Sequence, residues 1–349
     1  LVEAGINLPL AKGYLSSDDA DTEFVGTNFR EGSMTESGYP RIVKRWRRDT
    51  PLSQAKLWYV GGVPSFMIQA FRAHSKGGDI DIIRDGTTFW TSAYFQLVDG
   101  TKQRLLLPDS ATVGGAFQGR LIVSLKEDWK RDEITYPQGA VLVADTSALH
   151  EGGEGVIDVL IEPDRSTVVE SVDTTDSTIL VTVLENVRGK IYRFNPGPEG
   201  SFERELISFP DNGSIEITST DDASGNFFAR YESFTNPPSL YYVASSDWQP
   251  QKIKSQPPSF DGAKYRTEQY FAKSTDGTMI PYFVVLPTDV TLDGRNPTHI
   301  FSYGGFRNSL TPSYSGSYED LSGAYGKLWL DRGGIFVLAN IRGGGEFGP

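Results

Sequence analysis

The stretch Thr178-Ile-Leu-Val-Thr-Val-Leu-Glu-Asn-Val-Arg-Gly-Lys-Ile-Tyr-Arg-Phe194 sets the pattern of most of the chain. Two short runs of β-branched, aliphatic and aromatic residues, 178–183 and 190–194, are separated by turn-forming residues. Such side chains suit a pleated, half-buried surface, so each run reads as a strand. The style recurs upstream in Lys56-Leu-Trp-Tyr-Val60, Ser65-Phe-Met-Ile-Gln-Ala-Phe71, Gly119-Arg-Leu-Ile-Val-Ser124 and Ala140-Val-Leu-Val-Ala144. It recurs downstream in Asn226-Phe-Phe-Ala-Arg-Tyr231 and Leu240-Tyr-Tyr-Val243. Asp-Gly or Asn-Gly pairs at 85–86, 99–100, 212–213 and 261–262 offer the positive-φ residues of tight hairpins. No stretch before residue 258 keeps a helical apolar period over three turns. Many short antiparallel strands mean a sandwich, a barrel or a propeller, and about 250 residues is too long for one sandwich. At roughly 40–50 residues per four-stranded blade, the segment makes about five or six propeller blades.

The 349 residues carry 33 Lys+Arg against 45 Asp+Glu, a formal net charge of −12. Nucleic acid and anionic membrane surfaces both need a basic footprint, so neither is expected as a partner. Six Trp, 16 Tyr and 20 Phe supply enough core to set intrinsic disorder aside. With no Cys there is no disulfide framework, thiolate zinc site or Cys nucleophile. Ile335-Phe-Val-Leu-Ala339 is typical of the longest apolar runs, far short of the ~18 residues of a membrane span. The chain opens at Leu1 without an initiator Met or signal-peptide pattern and stops at Pro349 in a glycine-rich turn. Both ends are therefore expected to be cut, which leaves the compartment open between cytoplasmic and periplasmic.

After the loop 252–262 the style changes. Glu268-Gln-Tyr-Phe-Ala272 and residues 279–287 read as two strands joined across Asp276-Gly277, and His299-Ile-Phe-Ser-Tyr303 as a third. Residues 317–331 are expected to form an amphipathic helix. Ser317 and Asp320 resemble a capping box, Leu321, Ala324, Tyr325 and Leu328 share one face, and Gly333-Gly334 stops it. A buried strand, Ile335-Phe-Val-Leu-Ala-Asn340, follows. Strand, helix and apolar strand open a parallel α/β sheet.

Several motifs invite chemical readings. Gly343-Gly-Gly-Glu-Phe-Gly348 satisfies G-x-G-x-x-G after a strand, but a dinucleotide site also needs a helix and a later acidic residue. No Gly has a Ser two positions later, so the G-x-S-x-G nucleophile elbow is missing from this sequence. His74 and His150 sit in polar loop contexts and His299 opens a buried strand, none placed like a catalytic base. Asp79, Asp81 and Asp85 alternate as a solvated strand face does, and no metal or cofactor is expected. Lys44-Arg-Trp-Arg-Arg48 reads as a solvated or ion-paired strand. The informative constellation is Phe301-Ser-Tyr-Gly-Gly-Phe306 at a strand end, then Pro312, Gly333-Gly334 and Ala339-Asn-Ile-Arg-Gly-Gly-Gly-Glu-Phe-Gly348. Gly-Gly after a strand lets backbone approach a bound carbonyl, and a Tyr beside it offers a phenolic donor to an oxyanion.

This constellation, with Asp276-Gly277 and Ile280-Pro281, closely resembles the prolyl oligopeptidase family of serine peptidases. Upstream, Gly38-Tyr-Pro-Arg-Ile-Val-Lys-Arg-Trp46, Thr50-Pro-Leu52, Glu185-Asn-Val-Arg-Gly189 and Phe234-Thr-Asn-Pro-Pro-Ser-Leu-Tyr241 look like its propeller segments. The resemblance implies a mostly β chain: an incomplete seven-bladed β-propeller over 1–262, then the start of an α/β-hydrolase domain over 263–349. It implies short proline-containing peptides as substrates and a monomeric parent. Tyr303 matches the oxyanion-hole tyrosine, and Phe306 matches an aromatic residue of the proline pocket. The family's Ser, Asp and His then fall beyond Pro349, so residues 1–349 alone are expected to be inactive. Two other readings stay open from the residues: a propeller binding module without catalysis, and a nucleotide-binding protein using the glycine run.

Overall fold

The computed structural model describes residues 8, 10–98, 100–162, 164, 166–315 and 323–348. The chain forms two compact units, Leu1–Glu162 and Pro163–Pro349. Among the described residues, the helical elements are short 3₁₀ turns and the rest of the regular structure is strand.

The first unit holds two four-stranded antiparallel meanders. One runs Tyr14–Ser17, Thr22–Gly26, Ile42–Arg47 and Lys56–Val60, the other Met67–Ala73, Ile80–Gly86, Ser92–Val98 and Thr101–Leu105. A third sheet orders Ile157–Ile161, Val141–Ala144, Arg120–Ser124 and Thr112–Phe117, with a small hairpin of Trp129–Arg131 and Ile134–Tyr136. Alternating side chains join neighbouring sheets. Phe24 and Val43 pack with Ile68, Ala70 and Ile83, while Ile82, Tyr94 and Leu105 pack with Leu121, Val123 and Leu142. The basic run 44–48 lies on and just past Ile42–Arg47, with Arg47 and Arg48 exposed and its first three residues engaged within the unit. Arg45 pairs with the buried Asp18, Trp46 is buried with its Nε1 donating to Thr50 O at 2.8 Å, and Lys44 Nζ stands 4.3 Å over Phe29. Asp81 pairs with Arg72 at 2.6 Å and Asp79 with His74 at 3.3 Å.

The second unit continues the pattern with Thr167–Thr174, Ile179–Glu185, Arg188–Pro196 and Phe202–Ile207, then Gly213–Thr220, Phe227–Ser233, Ser239–Val243 and Pro250–Ser255. Ile179–Glu185 is the near-continuous apolar run of the opening stretch, and its residues 179–184 are buried on both faces. Each fully buried Val, Leu or Ile there contributes at most about 1.5–3 kcal/mol.

The last sheet is different. Its order is Tyr265–Lys273, Met279–Pro287, Ile335–Ala339 and Thr298–Ser302, antiparallel except for the final pair, which is parallel. It shares a core with the preceding meanders: Val187 and Phe234 pack with Phe283, Val285, Phe336 and Leu338. Gln269 also accepts from Arg188 Nε at 2.8 Å and donates to Asn186 O at 2.6 Å.

Two expectations need correction. The helix over 317–331 is not formed in its described half: Gly323 makes a bridge to Ser313, 326–329 are turns, and Leu330–Arg332 is a 3₁₀ turn. Ala324 and Tyr325 are buried as the apolar spacing required, but Tyr325 takes φ +49°, which no right-handed helix accommodates. Ser317, Asp320 and Leu321 lie outside the described residues. Asp85-Gly86 also stays within a strand, Ile80–Gly86, and the chain reverses after it. The pairs at 99–100 and 212–213 do supply turn residues, Gly100 at φ +76° and Asn212 at φ +55°.

Candidate active-site loop

The parallel pair fixes the starting geometry. Its register runs from Thr298↔Ile335 to Ser302↔Ala339, so Tyr303 and Asn340 leave the sheet side by side at its carboxyl edge. That edge is where open parallel sheets place ligands.

Residues 303–310 then lie on residues 340–346, backbone against backbone. A Cβ on Gly304 would stand 2.2 Å from Arg342 O, and one on Gly343 would stand 2.1 Å from Gly304 O. Gly343 also takes φ +91°, so both space and conformation demand glycine there. Arg307 N–H donates to Gly343 O at 3.2 Å, and Asn308 N–H closes a turn onto Gly305 O at 3.1 Å. The two central residues of that turn, Phe306 and Arg307, sit at φ +56° and +55°. A type I′ turn demands this region, yet it strains side chains other than Gly, Asn or Asp. The strained turn projects Phe306 outward at 92 % exposure. Tyr303 is 39 % exposed and its ring lies against Gly305, where a Cβ would come within 2.8 Å of the phenolic oxygen.

The far end of the loop is held by buried polar groups. Leu310 N–H donates to Glu346 Oε1 at 2.8 Å, and Asn340 Nδ2 donates to Leu310 O at 2.7 Å and to Glu346 Oε1 at 3.0 Å. Glu346 is 0 % exposed. A third tie reaches the hairpin turn after Tyr265–Lys273. Arg342 Nη2 donates to both oxygens of Asp276, at 2.6 and 2.7 Å.

Hydrogen bonds from Thr278, first its N–H and then its hydroxyl, with Arg342 added, lower the Asp276 carboxyl from 3.8 to about 2. A depressed folded value means the tie is complete above the ordinary value and fades as pH falls from about 4 to about 2. A carboxyl ¹³C titration is expected to give Asp276 a midpoint near 2, and a midpoint at 3.8 would show the tie absent in solution.

The histidines take no part in this site. His150 bonds Arg104 O and Gln96 Oε1, and His299 packs its ring against Tyr325, Trp329 and Phe336.

The family described as the prolyl oligopeptidase N-terminal β-propeller domain matches residues 41–256. The chain belongs to the prolyl oligopeptidase family. It is 33 % identical to the uncharacterized peptidase y4nA of Sinorhizobium fredii, covering all of this chain and 48 % of that protein. A prolyl endopeptidase of Elizabethkingia meningoseptica is 32 % identical over 41 % of this chain and 19 % of its own length. The structure of a post-proline cleaving enzyme from Rickettsia typhi superposes with a TM-score of 0.79 at 25 % identity, covering 97 % of this chain and 49 % of that one. The chain spans about half the length of the curated relatives it matches.

As a prolyl oligopeptidase relative, the chain brings its Tyr303–Phe306 segment and its glycine run together. That reading passed over the Asn340–Glu346 pair and the Asp276–Arg342 tie. Both partners of each lie within quoted motifs, but nothing in a glycine-rich stretch announces a buried glutamate.

Proposed function

We propose that the full-length protein is a serine oligopeptidase that hydrolyses short peptides after proline. In this reading residues 1–262 supply five blades of a seven-bladed propeller, and residues 263–349 open the α/β-hydrolase domain. The mixed sheet supports the second assignment, because a parallel pair with a crossover is how such a sheet begins. Ile300 on its edge strand is 65 % exposed, an apolar face suited to further α/β structure.

The observation that carries the reading is the seating of Tyr303 and Gly304-Gly305 on the glycine run at the sheet's carboxyl edge. There the Tyr303 hydroxyl and one backbone N–H donate to the oxyanion that forms when a serine attacks a prolyl carbonyl. Phe306, thrown outward by its turn, offers an aromatic wall to the proline ring. The sequence has no G-x-S-x-G, so the nucleophile and its base come from outside residues 1–349. A propeller over the site would admit short peptides and exclude folded proteins. The test uses a chromogenic Gly-Pro amide. The full-length protein is expected to cleave it and to be silenced by a serine-directed inhibitor, while residues 1–349 release no chromophore. Turnover by residues 1–349 insensitive to that inhibitor would sink the reading.

A further inference from the structure

We propose that Glu346 is a positioning residue, one that sets the loop carrying Tyr303 and Phe306 by clamping the peptide groups of Leu310. The inference rests on the peptidase reading and extends it to a side chain that never meets substrate.

Burying a carboxylate is costly unless hydrogen bonds repay it, so a fully buried glutamate needs a reason. Glu346 Oε1 accepts both Leu310 N–H and Asn340 Nδ2, and Asn340 returns its Nδ2 to Leu310 O. Both backbone groups of one loop residue are therefore held by two buried side chains, and each side chain also holds the other. The glycine run is shaped around this arrangement. A Cβ on Gly344 would fall 1.9 Å from Glu346 Oε2, and one on Gly345 would fall 2.3 Å from Arg307 O.

The clamp matters because the loop between its two anchors is under strain. Phe306 and Arg307 hold left-handed conformations that relax unless both ends of the turn are fixed. The Gly304–Gly343 contact fixes the near end, and Glu346 with Asn340 fixes the far end. Releasing Leu310 lets the turn unwind, carrying Phe306 from its place and Gly305 from against the Tyr303 ring. A misplacement of about 1 Å costs on the order of 10²-fold in rate.

The experiment uses the full-length protein and two readouts: steady-state cleavage of the Gly-Pro amide, and hydrogen exchange of the peptide spanning residues 303–312. Glu346→Ala is expected to lower kcat about 10²-fold with KM within about threefold, and to speed exchange in that peptide alone. Glu346→Gln keeps an acceptor at Oε1 and is expected to restore both readouts to within about threefold. Should E346A fail to fold, Asn340→Ala removes the second arm while leaving the glutamate, with the same direction expected in both readouts. Wild-type kcat in E346A, or in N340A where E346A does not fold, would overturn the role, as would E346Q failing as badly as E346A. A wild-type protein that cleaves no peptide amide would overturn the peptidase reading itself, whereas an active wild type matched by E346A would overturn this role alone.

Discussion

Tyr303→Phe in the full-length protein is expected to lower kcat for a prolyl amide by about 10²–10³, the usual cost of losing one oxyanion donor. The substitution removes one oxygen from a side chain that is already 39 % exposed, so the loop should keep its shape. Its backbone ties involve Gly304, Arg307, Asn308 and Leu310, none of which the phenol touches through a hydrogen bond. KM should move little, because the donor strengthens its bond only as charge develops on the carbonyl oxygen. Steady-state kinetics at saturating and limiting substrate separates the two constants. An unchanged kcat would return Tyr303 to a packing role against Gly305.

Phe336→Ala is expected to destabilise the second unit by about 3–5 kcal/mol, the range for deleting a fully buried phenyl group. Phe336 is buried on the strand Ile335–Ala339, and its ring meets Phe234 at 5.8 Å, Tyr325 at 5.9 Å and His299 at 5.7 Å. The three rings and the buried Val187, Val285 and Leu338 of the same cluster are themselves packed, which limits how far the space can close. Denaturant unfolding of the full-length protein, followed by a fluorescent probe in this unit, gives the shift in midpoint. A loss below about 1 kcal/mol would mean that the core collapses around the deletion. The strand carrying Phe336 also delivers Asn340 to the loop, so activity should fall at temperatures where the wild type is still folded.

The strands were the most legible part of the chain, because period-two alternation records burial directly. Residues 279–287 read as a strand to the residue, whereas the run 178–183 reads as a half-buried strand and its residues 179–184 prove buried on both faces. The segment 317–331 shows where periodicity misleads. Ala324, Tyr325 and Leu328 have helical spacing and do face the core. Gly323, Gly326 and a left-handed Tyr325 let the same side chains reach that core from a series of turns. At the site, the close backbone approach at Gly304-Gly305 was legible from the glycine pair that follows the strand. The clamp was not, because Leu310 is held through its peptide groups, and those are identical in every residue.

The contact between Gly304 and Gly343 has a practical consequence. Two main chains meet there backbone to backbone, so both positions are closed to any side chain. An engineer can treat the exposed side chain of Phe306 as exchangeable while the hinge pins beside it stay untouched. Changing either pin, even by one methyl group, pushes 2.1–2.2 Å contacts into a backbone that has nowhere to retreat. The exposed tip of this loop is thus free to vary, and its attachment is not.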